Sequence, residues 1–352
     1  MNLGIIGLGR VAWLLEQDPL RAKPATHLGA WQKVRGAKLV AACDNDPERR
    51  AAFQAAYPRV RIYQNHRELF ANEALDLVSI CAYADSRKDM VLAACKAGVQ
   101  GIWCEKAMST TLKEALQIER AVKRYDVQLA IHYGRRWSPA YQWVANAIRT
   151  EKFGRVESVN VQFPSNFMHT GTHAFDVLRM WCGEAVSVQG WLDAGSEKVR
   201  DSGYQFDAPQ LEHDPQNDLG GFGVIRFKNG IRATIQGSAK KYFRFEFEVL
   251  TEKGMIRLGN TQQELWEVQD SPRYQGFREL TQVEFPKIKP KHVAPVPRNL
   301  IRAVQGKEDV LCDATDGRKA VEMGIALHQS HAQGHKEIRI RDVQKNLVVR
   351  NR

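Results

Sequence analysis

The chain has 352 residues, 43% hydrophobic and 26% charged, with a formal net charge of +11. Such a length accommodates two domains, and such a balance belongs to a folded chain rather than a disordered one. No apolar run approaches a membrane span, and Lys and Arg are interleaved with Asp and Glu instead of forming a basic tract, so neither a membrane nor a nucleic acid is expected as a partner.

The start, MNLGIIGLGR, reads as a short strand and not as a secretory signal. Apolar runs LGIIG, KLVAACD, LDLVSICA, GIWCEK and VQLAIH follow one another, separated by amphipathic stretches such as DPERRAAFQAAY, SRKDMVLAACKAGV and TLKEALQIERAVKRY. Apolar runs of this kind fit parallel strands buried on both faces, and the strand–helix rhythm predicts a doubly wound α/β sheet over residues 1–134. Beyond it, over 135–352, the period changes to two. RVESVNVQF, GGFGVIRFKNGIRATIQGS, YFRFEFEVLTEKGMIRLG and QELWEV alternate, with hairpin signals at KNG and EKG. These predict an α+β domain with a large open, mostly antiparallel sheet, entered by a helix from roughly Thr172 to Cys182. A proline-rich connection, FPKIKPKHVAPVP, leads to a helical segment over about 297–335, expected to pack back toward the first domain. Six cysteines stand singly with no Cys-x-x-Cys pair, as reduced thiols in a cytoplasmic protein would.

GLGRVA (Gly7, Leu8, Gly9, Arg10, Val11, Ala12) directly follows the first strand. Gly7 permits a tight turn, and Gly9 lets backbone N–H groups approach a pyrophosphate at a helix N-terminus. Asp44 ends the second strand, placed to accept hydrogen bonds from ribose hydroxyls and to repel a 2′-phosphate, which favours NAD over NADP; Arg49 and Arg50 leave NADP open. The stretch from Gly9 to Asp44 exceeds the usual spacing of roughly 20 residues. Its excess, EQDPLRAKPATH, has two prolines that cannot continue a helix and reads as an inserted loop.

HTGTHAFD (His169 to Asp176) would set two histidines and an aspartate on one helix face. Such a trio suits either a metal or proton transfer. A zincin needs Glu at Thr170, and distant ligands would have to come from His213 and Asp214 in a polar loop, so no metal is expected. Gly171 at the helix start would let backbone approach a flat ligand.

Glu105 and Lys106, in GIWCEKAMS, lie just beyond a strand, at the edge where open α/β sheets bind ligands. Here the chain resembles the Gfo/Idh/MocA family of NAD(P)-dependent oxidoreductases. The likeness rests on the glycine loop, DNDPER, ACKAGVQGIWCEK, RRWSPAY, FGRVESV and GRKAVEMGIALHQS, spread over nearly the whole chain. It implies a Rossmann domain, a hydride moved between NAD and a hydroxyl-bearing carbon of a sugar, cyclitol or sugar derivative, and a homodimer or homotetramer through the open sheet. It assigns chemistry to Lys106 and His173, substrate contacts to Asp176, His169 and Arg136, and cofactor contacts to the glycine loop, Asp44, Ala82, Tyr83, Glu105 and Lys106. Three departures stand out. Ala107 replaces the motif proline, which predicts a looser loop; Ala82-Tyr83 replaces Thr-Pro, with Lys88 where histidine is common; and His169 replaces an aspartate that would raise the basicity of His173. An NAD-retaining glycosidase working by transient oxidation, and a non-catalytic nucleotide-binding regulator, are the alternatives.

Overall fold

The structure is a computed structural model that describes residues 1–164, 166–193, 218, 220–238, 242–288 and 293–349. His213 and Asp214 lie outside the described residues. The chain forms two compact units, one of residues 1–137 with 291–319 and one of 138–290 with 320–350.

The first unit is built on six parallel strands: β1 (Asn2–Ile6), β2 (Lys38–Cys43), β3 (Arg61–Tyr63), β4 (Leu77–Ile80), β5 (Gly101–Cys104) and β6 (Gln128–Ile131). Their order, β3-β2-β1-β4-β5-β6, reverses direction between β1 and β4, where a doubly wound sheet opens a ligand crevice. Its core strands are fully buried because both faces are covered: Ile5, Val78, Ile80, Ile102 and Trp103 are 0% exposed. Helices α1 (His27–Trp31), α2 (Pro47–Ala56), α3 (His66–Asn72), α4 (Ala84–Lys96) and α5 (Leu112–Arg124) connect the strands. Each obvious start signal works as a cap: Asp46, Asn65 and Thr111 accept hydrogen bonds from the first-turn amides of α2, α3 and α5.

The helix expected to open at the glycine loop is instead split. After Gly9 the chain makes one turn and a short 3-10 helix (Leu14–Gln17), then leaves the helical path until α1. The path is resumed by hydrogen bonds from His27 N to Val11 O (3.0 Å) and Leu28 N to Ala12 O (3.0 Å), so His27 follows Val11 as a residue four further on would. The intervening residues are a folded excursion. Glu16 accepts from Ala25 N (2.9 Å) and Thr26 Oγ1 (2.7 Å), and Thr26 caps α1 through Gly29 N (3.0 Å). A Cβ on Gly29 would fall 2.3 Å from Glu16 Oε2, so glycine leaves the room that the Glu16 carboxylate occupies. With the excursion set aside, Asp44 stands about where the usual spacing of roughly 20 residues puts it.

The second unit carries α6 (Pro139–Arg149), β7 (Val156–Pro164), α7 (Thr172–Cys182), β8 (Ala185–Leu192), β9 (Gly220–Phe227), β10 (Arg232–Ser238), β11 (Glu246–Thr251), β12 (Gly254–Gly259), β13 (Gln263–Asp270) and β14 (Arg278–Val283). Then come α8 (Pro295–Val304) and α9 (Ala314–Ala332), followed by β15 (Ile338–Arg339). The nine-stranded sheet runs β14-β13-β12-β11-β7-β10-β9-β8-β15, antiparallel except for the β7–β10 pair. α8 belongs to the first unit, with Leu300 and Val304 against Gly101 of β5, while α9 crosses the boundary at Lys319.

Alternation separates the two faces of this sheet. Val159, Val161, Ala233, Ile235, Phe247 and Val249 point inward and are at most 2% exposed, with Phe247 packed edge-on against Tyr141 of α6 and Trp181 of α7. The outer face is polar: Arg257 pairs with Glu248 (2.8 Å) and Glu264 (3.7 Å), and Asn160 donates to Glu248 (3.3 Å). Helices already cover the inward face: Phe247 lies against α6 and α7, and Leu327 of α9 lies against Gly190 of β8 and Gly223 of β9.

Candidate active site

Four strands of the first sheet deliver the expected cofactor residues to one edge. Gly7 N donates to Cys43 O (2.9 Å), Cys81 N to Ile6 O (2.7 Å), Glu105 N to Ile80 O (2.9 Å) and His132 N to Cys104 O (2.8 Å), which aligns the carboxyl ends. Gly7 has φ +85°, and a Cβ there would lie 3.0 Å from Ala82 N; both facts require glycine. A Cβ on Gly9 would meet only Arg49 Nη1 at 3.7 Å, so the backbone on that side is approachable. Asp44, 7% exposed, accepts from Leu8 N (2.6 Å) and Asp46 N (2.9 Å), and Arg49 lies 3.9 Å away. Two of its roughly four acceptor positions are thereby used, and the others suit ribose hydroxyls. Arg10 and Val11 form the turn beyond, and Ala82 and the exposed Tyr83 lead from β4 into α4. These residues fit a dinucleotide.

Glu105 and Lys106 end β5. The Lys106–Ala107 peptide is cis. The loop is held despite lacking the motif proline: Ala107 is 0% exposed, and Arg87 donates to Ala107 O and, at 2.9 Å, to Ala82 O. Burial pushes the Lys106 ammonium down to about 8, against the attraction of Glu105 and with repulsion from Arg87 and Arg135.

Around Glu105 the structure gathers residues that no motif announced. Its Oε1 meets His27 Nε2 at 3.0 Å and His132 Nδ1 at 2.5 Å, and its Oε2 accepts from Lys106 N at 3.3 Å. His27 also meets Ser79 Oγ (3.2 Å), which accepts from Trp31 Nε1 (2.8 Å), and its ring stacks on Trp103 at 3.6 Å. Burial disfavours the Glu105 charge, yet the positive field of His132 and the two imidazole hydrogen bonds outweigh it and hold the carboxyl well below its usual range. Burial pushes His27 down to about 4. Among the described residues, these three side chains are of types that can bind metal and converge, with ligand atoms within 4.8 Å of one another. Donors around a tetrahedral zinc ion at ~2.0–2.1 Å stand ~3.3 Å apart, and the 2.5 Å contact is instead a hydrogen-bond distance. The only sequence signal was His27 at the end of the inserted stretch and His132 at the end of a buried strand.

Arg136 is engaged within the first unit, donating to Asp316 Oδ1 (3.0 Å) and Leu311 O (3.4 Å).

In the second unit, HTGTHAFD does not form one helix face. Residues Phe167–Gly171 wind as a π-turn, closed by Gly171 N to Asn166 O (3.0 Å), and α7 begins only at Thr172. The wider turn takes His169 out of the row that His173 and Asp176 share on α7. Asn166 caps it through His169 N (3.0 Å), and the buried Asp218 accepts from Phe167 N (2.9 Å), Met168 N and Gly220 N (3.2 Å). His328 Nε2 stands 3.5 Å from the same carboxylate. His173 packs edge-on to Phe245 at 6.5 Å, and Asp176 is 0% exposed. Gly171 makes room for the protein's own rings: a Cβ there would lie 2.9 Å from Phe163 Cζ and 3.3 Å from Phe175 Cζ.

Comparison with known proteins decides the family. Residues 1–133 match "Oxidoreductase family, NAD-binding Rossmann fold" and residues 159–340 match "Oxidoreductase family, C-terminal alpha/beta domain". The chain belongs to the Gfo/Idh/MocA oxidoreductase family. It is 38% identical over 141 residues to a D-apiose dehydrogenase of Paraburkholderia graminis, a match covering 40% of this chain and 37% of that one. It is 22% identical over 346 residues to a myo-inositol 2-dehydrogenase of Thermotoga maritima, covering 94% and 96%. Its fold is that of the WlbA dehydrogenase from Bordetella pertussis, solved with NADH and UDP-GlcNAcA: TM-score 0.74, 20% identity, covering 96% and 98%. No described helix is long and apolar enough to cross a membrane.

Proposed function

We propose that this family member is an NAD-dependent dehydrogenase acting on a hydroxyl-bearing carbon of a sugar, cyclitol or sugar derivative. The observation that carries the reading is a half-buried lysine at the carboxyl end of β5, beside an ionised Glu105, on the same sheet edge as a glycine loop and Asp44. Bound nicotinamide would supply the acceptor or donor of the hydride. Gly7, Leu8, Gly9, Arg10 and Val11 would hold the pyrophosphate, Asp44 the adenosine ribose, and Ala82, Tyr83 and Glu105 the nicotinamide side. Lys106, cationic below about pH 8, would stabilise negative charge building on the reacting oxygen. His173 would take or return the hydroxyl proton, and Asp176 would hold a neighbouring hydroxyl. The D-apiose and myo-inositol dehydrogenases among its relatives support the substrate class.

The same reading places the protein in the cytoplasm, where six free cysteines stay reduced, and pairs copies through the polar outer face of the nine-stranded sheet. The test is turnover of pentoses, cyclitols and nucleotide sugars with NAD and with NADP, followed by energy transfer from tryptophan to NADH. Lys106→Met should cost about 10³-fold in kcat while NADH still binds. Unchanged turnover would overturn the assignment.

A further inference from the structure

The cluster on Glu105 has a fixed direction of proton donation. An ionised carboxylate only accepts, so His27 Nε2 and His132 Nδ1 must each carry a hydrogen toward Oε1 (3.0 and 2.5 Å). Burial keeps His27 neutral, so its Nδ1 bears a lone pair. Ser79, whose Oγ already accepts from Trp31 Nε1, therefore donates its own hydrogen to that Nδ1. The chain Trp31–Ser79–His27–Glu105 ends inside the core, where Ser79 and His27 are 0% exposed and Trp31 is 2% exposed. A dead-ended chain cannot carry protons to solvent. What it does is fix one carboxylate in place and keep it charged.

We propose that His27 and His132 are positioning residues for Lys106, clamping Glu105 as a fixed anion whose field holds the neighbouring ammonium in its charged form. This rests on the reading of Lys106 as the residue that polarises the substrate oxygen. Glu105 is bonded on both oxygens, by two imidazoles and by Lys106 N, and Trp103 holds the His27 ring from its face. The groups facing Lys106 and Glu105 are His27 from α1, Arg87 from α4, His132 after β6, Arg135 in the next turn, and the Cys81 and Cys104 thiols. Two guanidiniums oppose a charge on Lys106, and the Glu105 carboxylate supports it. The excursion after the glycine loop thus ends by delivering His27 to the site, which gives that stretch a role in the chemistry.

The decisive measurement is competitive acetylation of Lys106 across pH 6 to 10, read by mass spectrometry on the full chain without substrate. The wild-type midpoint should lie near 8. His27→Leu and His132→Leu should lower it by about half a unit or more, and Glu105→Gln by more than either. His27→Gln and His132→Asn, whose amides replace the lost donors, should return it. In turnover, the Leu variants should lose about tenfold in kcat with KM little changed, and the alkaline limb should move with the midpoint. Leu variants that bind NADH normally with an unmoved midpoint would overturn the proposal. Should those variants fail to fold, an unmoved midpoint in Glu105→Gln would overturn it equally. Acetylation needs no substrate, so a chain that turns over none of the CH–OH panel would defeat the proposed function while the midpoint still judged the clamp.

Discussion

Two buried carboxylates, Glu105 in the first unit and Asp218 in the second, hold the turns that present Lys106 and His169, and they do so with different donors. Asp218 is bonded mainly by backbone amides, those of Phe167, Met168 and Gly220, which do not titrate. Glu105 is bonded mainly by imidazoles. The first arrangement makes a turn whose donors are fixed N–H groups of the backbone. The second makes a charge whose setting can be tuned by the protonation of its partners. A single carboxylate type thus yields a scaffold in one place and an electrostatic control in the other.

The comparison breaks most sharply at Asp218. Asp218→Ala strands buried N–H groups at the start of the π-turn, and should cost about 2–4 kcal/mol in urea unfolding. Its effect should be the same at pH 6 and pH 8. A loss that varied with pH over that range would mean that His328, 3.5 Å away, takes part after all.

The Glu105 side should show the opposite behaviour. His27 is held near 4 in the folded protein against an ordinary 6.5, so between those values the unfolded chain binds a proton that the folded one does not. Its contribution therefore falls as pH drops from 6.5 to 4, by up to about 1.4 kcal/mol per pH unit. His27→Gln cannot titrate, so its stability at pH 7 should be lower but its decline toward pH 4 flatter. Parallel curves for the two proteins would show that His27 is not the group being titrated.

How far the sequence revealed these arrangements differs by element. The five buried runs gave the parallel sheet because both faces of such strands must be apolar, while the sixth strand, β3, is a short edge strand that no such run marks; period-two alternation gave the second sheet for the complementary reason. The sheet edge with Gly7, Asp44 and Lys106 was equally legible, since turn and charge signals there are local. Alternation also hid something: it marks an apolar face without saying whether helices cover it, and α6, α7 and α9 pack on it. The Glu105 cluster was not legible, because His27, Ser79, Glu105 and His132 come from four elements and meet only through strand order. Nor was the π-turn, which depends on a carboxylate about fifty residues on, at Asp218.

A smaller effect sharpens the backbone-held side. A Cβ at position 171 would press on Phe163 at 2.9 Å, so Gly171→Ala must move a core ring, at a cost of about 1–3 kcal/mol. NADH binding, which depends on the other unit, should be unaffected. If the substitution weakened NADH binding instead, the glycine would be serving the ligand as the sequence suggested.

The smallest effect tests whether the imidazole-held side depends on the excursion that feeds it. Glu16 is the strap, accepting from Ala25 N and Thr26 Oγ1 at 2.9 and 2.7 Å. Glu16→Ala should cost about 1 kcal/mol, the net worth of such bonds near the surface. Its specific mark is local: the amides of His27 and Leu28, bonded to Val11 and Ala12, should exchange hydrogen faster, while those of β4 and β5 do not change. The Lys106 midpoint should shift in the direction of His27→Leu but by less, because a loosened α1 still returns its imidazole to Glu105 most of the time. Faster exchange with an unmoved midpoint would mean that Ser79, Trp31 and Trp103 alone secure His27, and that the excursion is attached to the site without controlling it.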